Sequence, residues 1–256
     1  MPKLLHSVPD WTAFGRQTLP AEGYYRRLRQ IGFAAVEMVQ PERWPAARAA
    51  GLKILNLIGP GMTAGLNRRE HHAELLRALR AAIDTAARND IAQVIVFSGN
   101  RACQSDEEGL AAVVEGLTAV AGAAAQAGVV LAFEMLNSHD HADYQADSSA
   151  YGFEVVRRVS SPAVRVLYDV YHMQRMGEDV AVTLLANLPL VCHLHFAGVP
   201  GRSLPGADTL PDYAPILRQV TAAGYGGYWG HEFVPAGDSL TELAQAFARF
   251  ESFLPG

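Results

Sequence analysis

Four consecutive apolar runs in the second half of the chain lead into residues that can bind a metal ion or move a proton. Val129–Phe133 leads into Glu134, Val164–Tyr168 into Asp169, Val191–Leu194 into His195, and Gly227–His231 into Glu232. One carboxylate at the end of such a run reads as a cap or an ion pair, but four such ends in succession need another reason. Three carboxylates gathered in one place raise one another's pKa unless a cation neutralises them. Three hard oxygens and one imidazole suit an octahedral Mg²⁺, Mn²⁺ or Co²⁺ with open positions better than Zn²⁺, which prefers nitrogen and sulfur. Open positions imply a substrate that binds through two oxygens, such as a carbonyl beside a hydroxyl. A divalent ion across those oxygens stabilises an ene-diolate. Two glutamates flanking it could then carry a proton between neighbouring carbons. The chemistry expected is isomerisation or epimerisation without a redox cofactor.

Such residues need a scaffold that brings them together, and the hydropathy pattern supplies one. Short apolar runs alternate with amphipathic stretches: Leu4–Val8, Phe33–Val39, Leu52–Ile58, Ala92–Ser98, Val129–Met135, Val164–Val170, Leu190–Phe196 and Gly227–Phe233. Helical patterns fill 21–31, 42–50, 68–88, 106–127, 148–158, 178–187, 211–223 and 238–253. Gly32, Gly51, Gly128 and Gly224 end helices just before the next strand, and Asp106 and Ser239 stand where N-caps are wanted. Strict alternation with short connections means parallel strands joined by helices. Eight such units predict a single α/β domain over 1–256, a (β/α)₈ TIM barrel with its active site at the C-terminal ends of the strands. A doubly wound sheet is disfavoured because Ser7-Val8-Pro9-Asp10-Trp11 is no glycine-rich phosphate fingerprint.

Composition removes other classes. The chain has 256 residues, 50% hydrophobic and 18% charged, with a net charge of −5 and two cysteines. That is globular composition, large enough to fold without a metal or disulfide staple, so a metal here serves chemistry. The negative charge and the absence of a basic run argue against nucleic acid, and the Arg26–Arg29 and Arg77–Arg80 patches read as solvated helix faces. No stretch reaches the roughly 18 uninterrupted apolar residues expected of a membrane span. With no signal-peptide pattern and no cysteine framework, the reading is a cytoplasmic enzyme.

At these residues the chain resembles the xylose isomerase-like TIM barrel superfamily, and within it the hydroxypyruvate isomerase-like branch. The resemblance is carried by Phe133-Glu134-Met135-Leu136-Asn137, Tyr168-Asp169-Val170-Tyr171-His172-Met173-Gln174, Pro200–Gly206, and Gly230-His231-Glu232-Phe233-Val234-Pro235. It implies one divalent metal ion (Mg²⁺ or Mn²⁺, or else Co²⁺) on Glu134, Asp169, His195 and Glu232, with Glu134 and Glu232 doubling as the acid/base pair. It implies further that His172, Arg202, Asn137 and Asp140 bind the substrate, a small hydroxy-carbonyl compound. The leading reaction is hydroxypyruvate to tartronate semialdehyde, an aldose–ketose type of isomerisation. Departures from the branch concern the substrate. His195 stands where hydroxypyruvate isomerases carry Gln and ketose 3-epimerases carry His. Gly198-Val199 replaces Asp-Asn, and Ala207–Leu210 replaces Gly-Glu-Ile-Asn. A ketose 3-epimerase or sugar isomerase is therefore the alternative reading, with elimination from the same ene-diolate left open. An apurinic endonuclease of the superfamily needs a three-zinc cluster and a basic track that this chain does not offer. A non-catalytic sugar-acid binding barrel would have no use for both glutamates. Relatives vary in assembly, so a homo-oligomer stays open.

Lesser candidates carry two readings each. Glu37 has the phase to face the barrel beside Ala35, where it could hydrogen-bond a ligand or the substrate, or act as a cap. Trp11 and Phe14 could cover the mouth or pack in the core. His193 reads as a residue one layer below His195, and His231 as a buried, hydrogen-bonded side chain facing the helices. His71-His72, His139 and His141 read as solvated, and Cys192 as a small core residue.

Overall fold

The computed structural model describes residues 3–206 and 208–254; Ala207 of the altered loop lies outside them. The strands are β1 (Leu5–Pro9), β2 (Ala35–Glu37), β3 (Lys53–Ile54), β4 (Asn56–Ile58), β5 (Gln93–Val96), β6 (Val130–Glu134), β7 (Val164–Asp169), β8 (Val191–Phe196) and β9 (Tyr228–His231). The helices are α1 (Asp10–Ala13), α2 (Ala21–Ile31), α3 (Trp44–Ala49), α4 (Arg69–Arg88), α5 (Asp106–Ala127), α6 (Ser149–Val159), α7 (Val170–Arg175), α8 (Val180–Asn187), α9 (Tyr213–Ala222) and α10 (Ser239–Ser252). Every apolar run becomes a strand and every amphipathic stretch a helix. The third run is divided at Leu55 into β3 and β4, and the short α1 and α7 are additions.

The described residues fall into two units, one of 3–55, 179–188, 193–206 and 208–254, the other of 56–178 and 189–192. In the first, the parallel strand order is β3-β2-β1-β9-β8, so the first strand pairs with the last. In the second, it is β7-β6-β5-β4, again all parallel. The registers align Ser7 with Gly230, His195 with Gly230, and Glu134 with Leu167.

Capping chemistry sets the helix ends. Gly32, Gly51, Gly128 and Gly224 all have positive φ, as the C-terminal signals predict. The N-caps lie one residue earlier than expected. Ser105 closes a capping box with Glu108, and Asp238 accepts from the Thr241 amide, so Asp106 and Ser239 occupy the first helical turn. Helix α5 is, by length and composition, apolar enough to cross a membrane, although Glu115 interrupts its apolar run. Its charged first turn and its buried stripe of Leu110, Val113, Leu117, Val120 and Ala124, packed with α4, α6 and β6, account for it as a core helix.

Candidate active site

In the first unit, His195 and Glu232 stand at the ends of β8 and β9, both buried. His195 Nε2 lies 2.8 Å from Glu37 Oε2, and His193 Nε2 reaches the same oxygen at 2.9 Å. Glu37 is fully buried at the end of β2, where burial alone would raise its pKa. The charges and hydrogen bonds of His193 and His195 reverse that and hold it well below the usual carboxylate range. Glu37 is therefore an anion, and both imidazoles must present N–H to it. The arrangement needs Gly230: a Cβ there would lie 2.5 Å from His195 Cδ2 and 2.8 Å from Glu37 Oε1.

The opposite nitrogen, His195 Nδ1, lies 2.9 Å from Glu232 Oε2. With Nε2–H given to Glu37, a neutral ring has a lone pair on Nδ1, facing another lone pair. A positive species belongs between them. A proton can supply that charge. A metal ion fits equally, because adjacent ligands on an octahedral ion with bonds of about 2.1 Å stand roughly 3 Å apart. A ring held on one side by a carboxylate and offering its other nitrogen is the usual preparation of a metal-ligating histidine. Glu37, His193 and His195 also form a group of metal-ligand type on their own. Their spacing is that of hydrogen bonds, so we read Glu37 as the anchor of His195.

Glu232 is gripped from two further sides. Trp11 Nε1–H donates to Oε1 at 2.8 Å, and Arg202 donates through Nη2 to Oε2 and through Nε to the Glu232 carbonyl oxygen. The Arg202 guanidinium also lies over the Trp11 ring, 5.3 Å from its centroid. Burial opposes ionisation of Glu232, but His195, Arg202 and the Trp11 hydrogen bond outweigh it and hold the pKa far below the ordinary value. Trp11 is 54% exposed, which places it at the surface, whereas Phe14 packs on Tyr24, Tyr25 and Arg43.

In the second unit, Glu134 ends β6 and Asp169 ends β7, both buried. Asp169 is also the N-cap of α7: its Oδ1 accepts from the amides of Tyr171 at 2.8 Å and His172 at 3.4 Å. Its Oδ2 lies 3.4 Å from His172 Nε2. The other ring nitrogen, His172 Nδ1, accepts from the Asn137 backbone N–H at 3.1 Å and faces Asn137 Nδ2 at 2.6 Å. Asn137 is tied to Asp140 twice, and Asp140 accepts from Tyr171 Oη at 2.7 Å and Arg175 Nη2 at 3.1 Å. Tyr171 stands in the motif that carries the resemblance but has no role assigned to it there, and Arg175 is not singled out; both lie on α7, which the hydropathy pattern does not show.

The remaining histidines divide. His231 is buried away from the site, its Nε2 2.8 Å from His6 Nδ1, and His6 Nε2 reaches Glu251 at 3.0 Å. His72 is a correction: its position on the inner side of α4 buries it, and Nε2 meets the Leu66 carbonyl oxygen at 2.8 Å. His139 is exposed, while His141 is half-buried with its ring against His172. Cys192 is half-buried beside the Val166 carbonyl.

The chain is similar to several known proteins. Hydroxypyruvate isomerase of Escherichia coli is 26% identical over 233 residues, covering 90% of this chain and 72% of that protein. The 2-oxo-tetronate isomerase of Cupriavidus necator is 31% identical over 125 residues, 49% of this chain and 48% of that one. The chain spans about half the length of several curated relatives it matches. Among solved structures, a family 2 AP endonuclease from Brucella melitensis superposes with a TM-score of 0.83 at 22% identity, over 97% of this chain and 99% of that one. The 3-keto-D-glucoside 4-epimerase of E. coli gives 0.79 at 20% identity, over 98% and 100%. At such identities these likenesses speak for the fold. The model of the family described as xylose isomerase-like TIM barrel matches residues 25–251, and the chain belongs to that family.

Proposed function

We propose that this chain is a divalent-metal-dependent isomerase that moves a proton between adjacent carbons of a small α-hydroxy carbonyl compound, with hydroxypyruvate to tartronate semialdehyde as the leading reaction. The observation that carries the reading is His195, with one nitrogen given to a buried carboxylate and the other 2.9 Å from Glu232. In a TIM barrel the C-terminal ends of the strands share one mouth. Glu134 and Asp169 would join His195 and Glu232 there as the ligands of one ion, Mg²⁺ or Mn²⁺, with Co²⁺ also suited to the set. The ion would polarise the substrate carbonyl and favour loss of the neighbouring C–H proton.

The rest is the work of side chains. One of Glu134 and Glu232 removes the proton from C3 of hydroxypyruvate, and a carboxyl group returns a proton to C2, while the hydroxyl proton passes from O3 to O2. Atoms balance and no oxidant is needed. Arg202, Trp11 and His195 hold Glu232 ionised, so its oxygens carry no proton, and the same contacts make it a weaker base. Trp11 over the site would exclude water from the ene-diolate. Relatives named for hydroxypyruvate and 2-oxo-tetronate isomerisation support this substrate class.

A ketose epimerase is the second reading, favoured by one observation. Arg202 commits Nε and Nη2 to Glu232, a use of its charge that does not require a substrate carboxylate. Proton exchange by NMR in D₂O with the Mg²⁺-loaded enzyme separates the two. Metal-dependent conversion of hydroxypyruvate, lost in Glu232→Gln, supports the first. Exchange confined to ketoses moves the chain to the epimerases, and silence on all substrates with metal bound removes both.

A further inference from the structure

We propose that Asp10 and Arg43 are positioning residues of the site: they brace the turn after β1, so that Trp11 stands as a fixed partner of Glu232 and not as a mobile lid. The inference rests on the site reading above, which gives Trp11 its task.

Helix α1 has four residues, and so short a helix does not hold itself in water. Pro9 at its N-cap offers no side-chain bond, so the turn has to be fixed from outside. Asp10 is 2% exposed, and a carboxylate so buried needs partners. Its Oδ2 accepts from Tyr25 Oη of α2 at 2.5 Å and from Arg43 Nε, just before α3, at 3.0 Å. The Arg43 guanidinium also lies over the ring of Phe14, just past α1, 4.4 Å from its centroid. One side chain thereby holds the turn at its start and at its end. Between these points Thr12 Oγ1 donates to the Pro9 carbonyl oxygen at 3.0 Å, and Ser239 Oγ to that of Ala13 at 2.8 Å.

Trp11 is the exception in this turn: Asp10, Thr12 and Ala13 are buried, whereas its ring is exposed. Successive residues of a helix point about 100° apart. With Asp10 turned inward onto Tyr25 and Arg43, Trp11 is turned another way, where Nε1–H meets Glu232 Oε1 and the ring lies under Arg202. A half-exposed ring has little packing of its own to keep it there, so its position depends on the backbone that carries it. The brace orders that backbone and keeps a donor on Glu232 Oε1. The carboxylate is thereby fixed in rotation, with Oε2 facing His195 and Arg202.

The test is the Trp11 indole N–H signal in ¹H–¹⁵N NMR of the full-length protein, assigned by its loss in Trp11→Phe. The brace predicts a signal displaced from the position of a free indole and moved by Glu232→Gln. Arg43→Gln, and Asp10→Asn, whose amide cannot pair the charge of Arg43, should return it toward the free-indole position. Each should lower kcat/KM for hydroxypyruvate by up to roughly tenfold, about the contribution of the one hydrogen bond released. Tyr25→Phe deletes a single hydroxyl and should shift the signal part of the way, which keeps the test open if the other two variants fail to fold. In a Trp11→Phe background Arg43→Gln should cost nothing further in kcat/KM, because both changes act through one side chain. An indole signal unmoved by all three substitutions, or an equal loss from Arg43→Gln with and without Trp11, overturns the proposal. If the signal behaves as stated but the protein turns nothing over, the site reading fails and the brace stands.

Discussion

His195 near the end of β8 and His172 on α7, just after β7, are the same residue type, yet their surroundings give them opposite chemistry. His195 hands Nε2–H to a buried carboxylate, Glu37, and turns Nδ1 toward Glu232. His172 receives the Asn137 backbone N–H on Nδ1 and keeps its proton on Nε2, beside Asp169. An anion on one ring nitrogen leaves an electron pair on the other, suited to a metal ion. A backbone donor leaves a proton on the other, on the side that faces Asp169 Oδ2. The partner on the far side of the ring decides what the near side offers.

The largest effect should follow from removing the charge that His195 faces. Glu232→Gln keeps the size of the side chain but cannot take a proton, so turnover should fall by roughly 10²–10⁴, measured as loss of solvent exchange in D₂O. Next comes the anchor behind His195. Glu37→Gln can turn an N–H toward Nε2 and reverse the ring, so Mn²⁺ affinity should fall about 10- to 100-fold, read by calorimetry. The same substitution should leave the His172 ¹⁵N signals unmoved, which sharpens the contrast between the two rings. Trp11→Phe removes one hydrogen bond to Glu232 while keeping a ring under Arg202. Its cost should be within roughly tenfold in kcat/KM.

The smallest effect concerns stability and a histidine outside the site. Burial holds His6 below the ordinary histidine pKa of about 6.5, although Glu251 works in the opposite direction. As pH falls through about 6.5 the unfolded chain takes up a proton that the folded chain refuses. Stability rises with pH wherever the unfolded state binds more protons, so it is lost on acidification. His193 and His231, held low by burial, act in the same direction. Thermal melts should drop between about pH 7.5 and 5.5, and His6→Gln should flatten part of that slope; an unchanged slope would remove His6 from the account.

Much of the architecture could be read from periodicity, because parallel strands buried on both faces write themselves as continuous apolar runs. The break at Leu55 and the helix α7 could not. The first is a local interruption of strand pairing, and the second is six residues long and set by a single Asp169 cap. The places of Glu134, Asp169, His195 and Glu232 at or beside strand ends were legible because they end apolar runs. Glu37 was placed correctly by alternation, but its role depends on His193 and His195, more than 150 residues away in sequence. Asn137 could be marked by family resemblance, whereas what it does depends on the direction of a backbone N–H. His72 was misread because its histidine-rich, charged surroundings masked a helix face that turns inward.

The most direct test of the account is the count of Mn²⁺ ions bound per chain, followed by the EPR signal of free Mn²⁺ during titration, in the wild-type protein and in His195→Ala. The account requires one ion per chain in the wild type and its loss from the variant. A wild-type protein that leaves all the Mn²⁺ free, or a variant that still binds one ion with equal affinity, would contradict it.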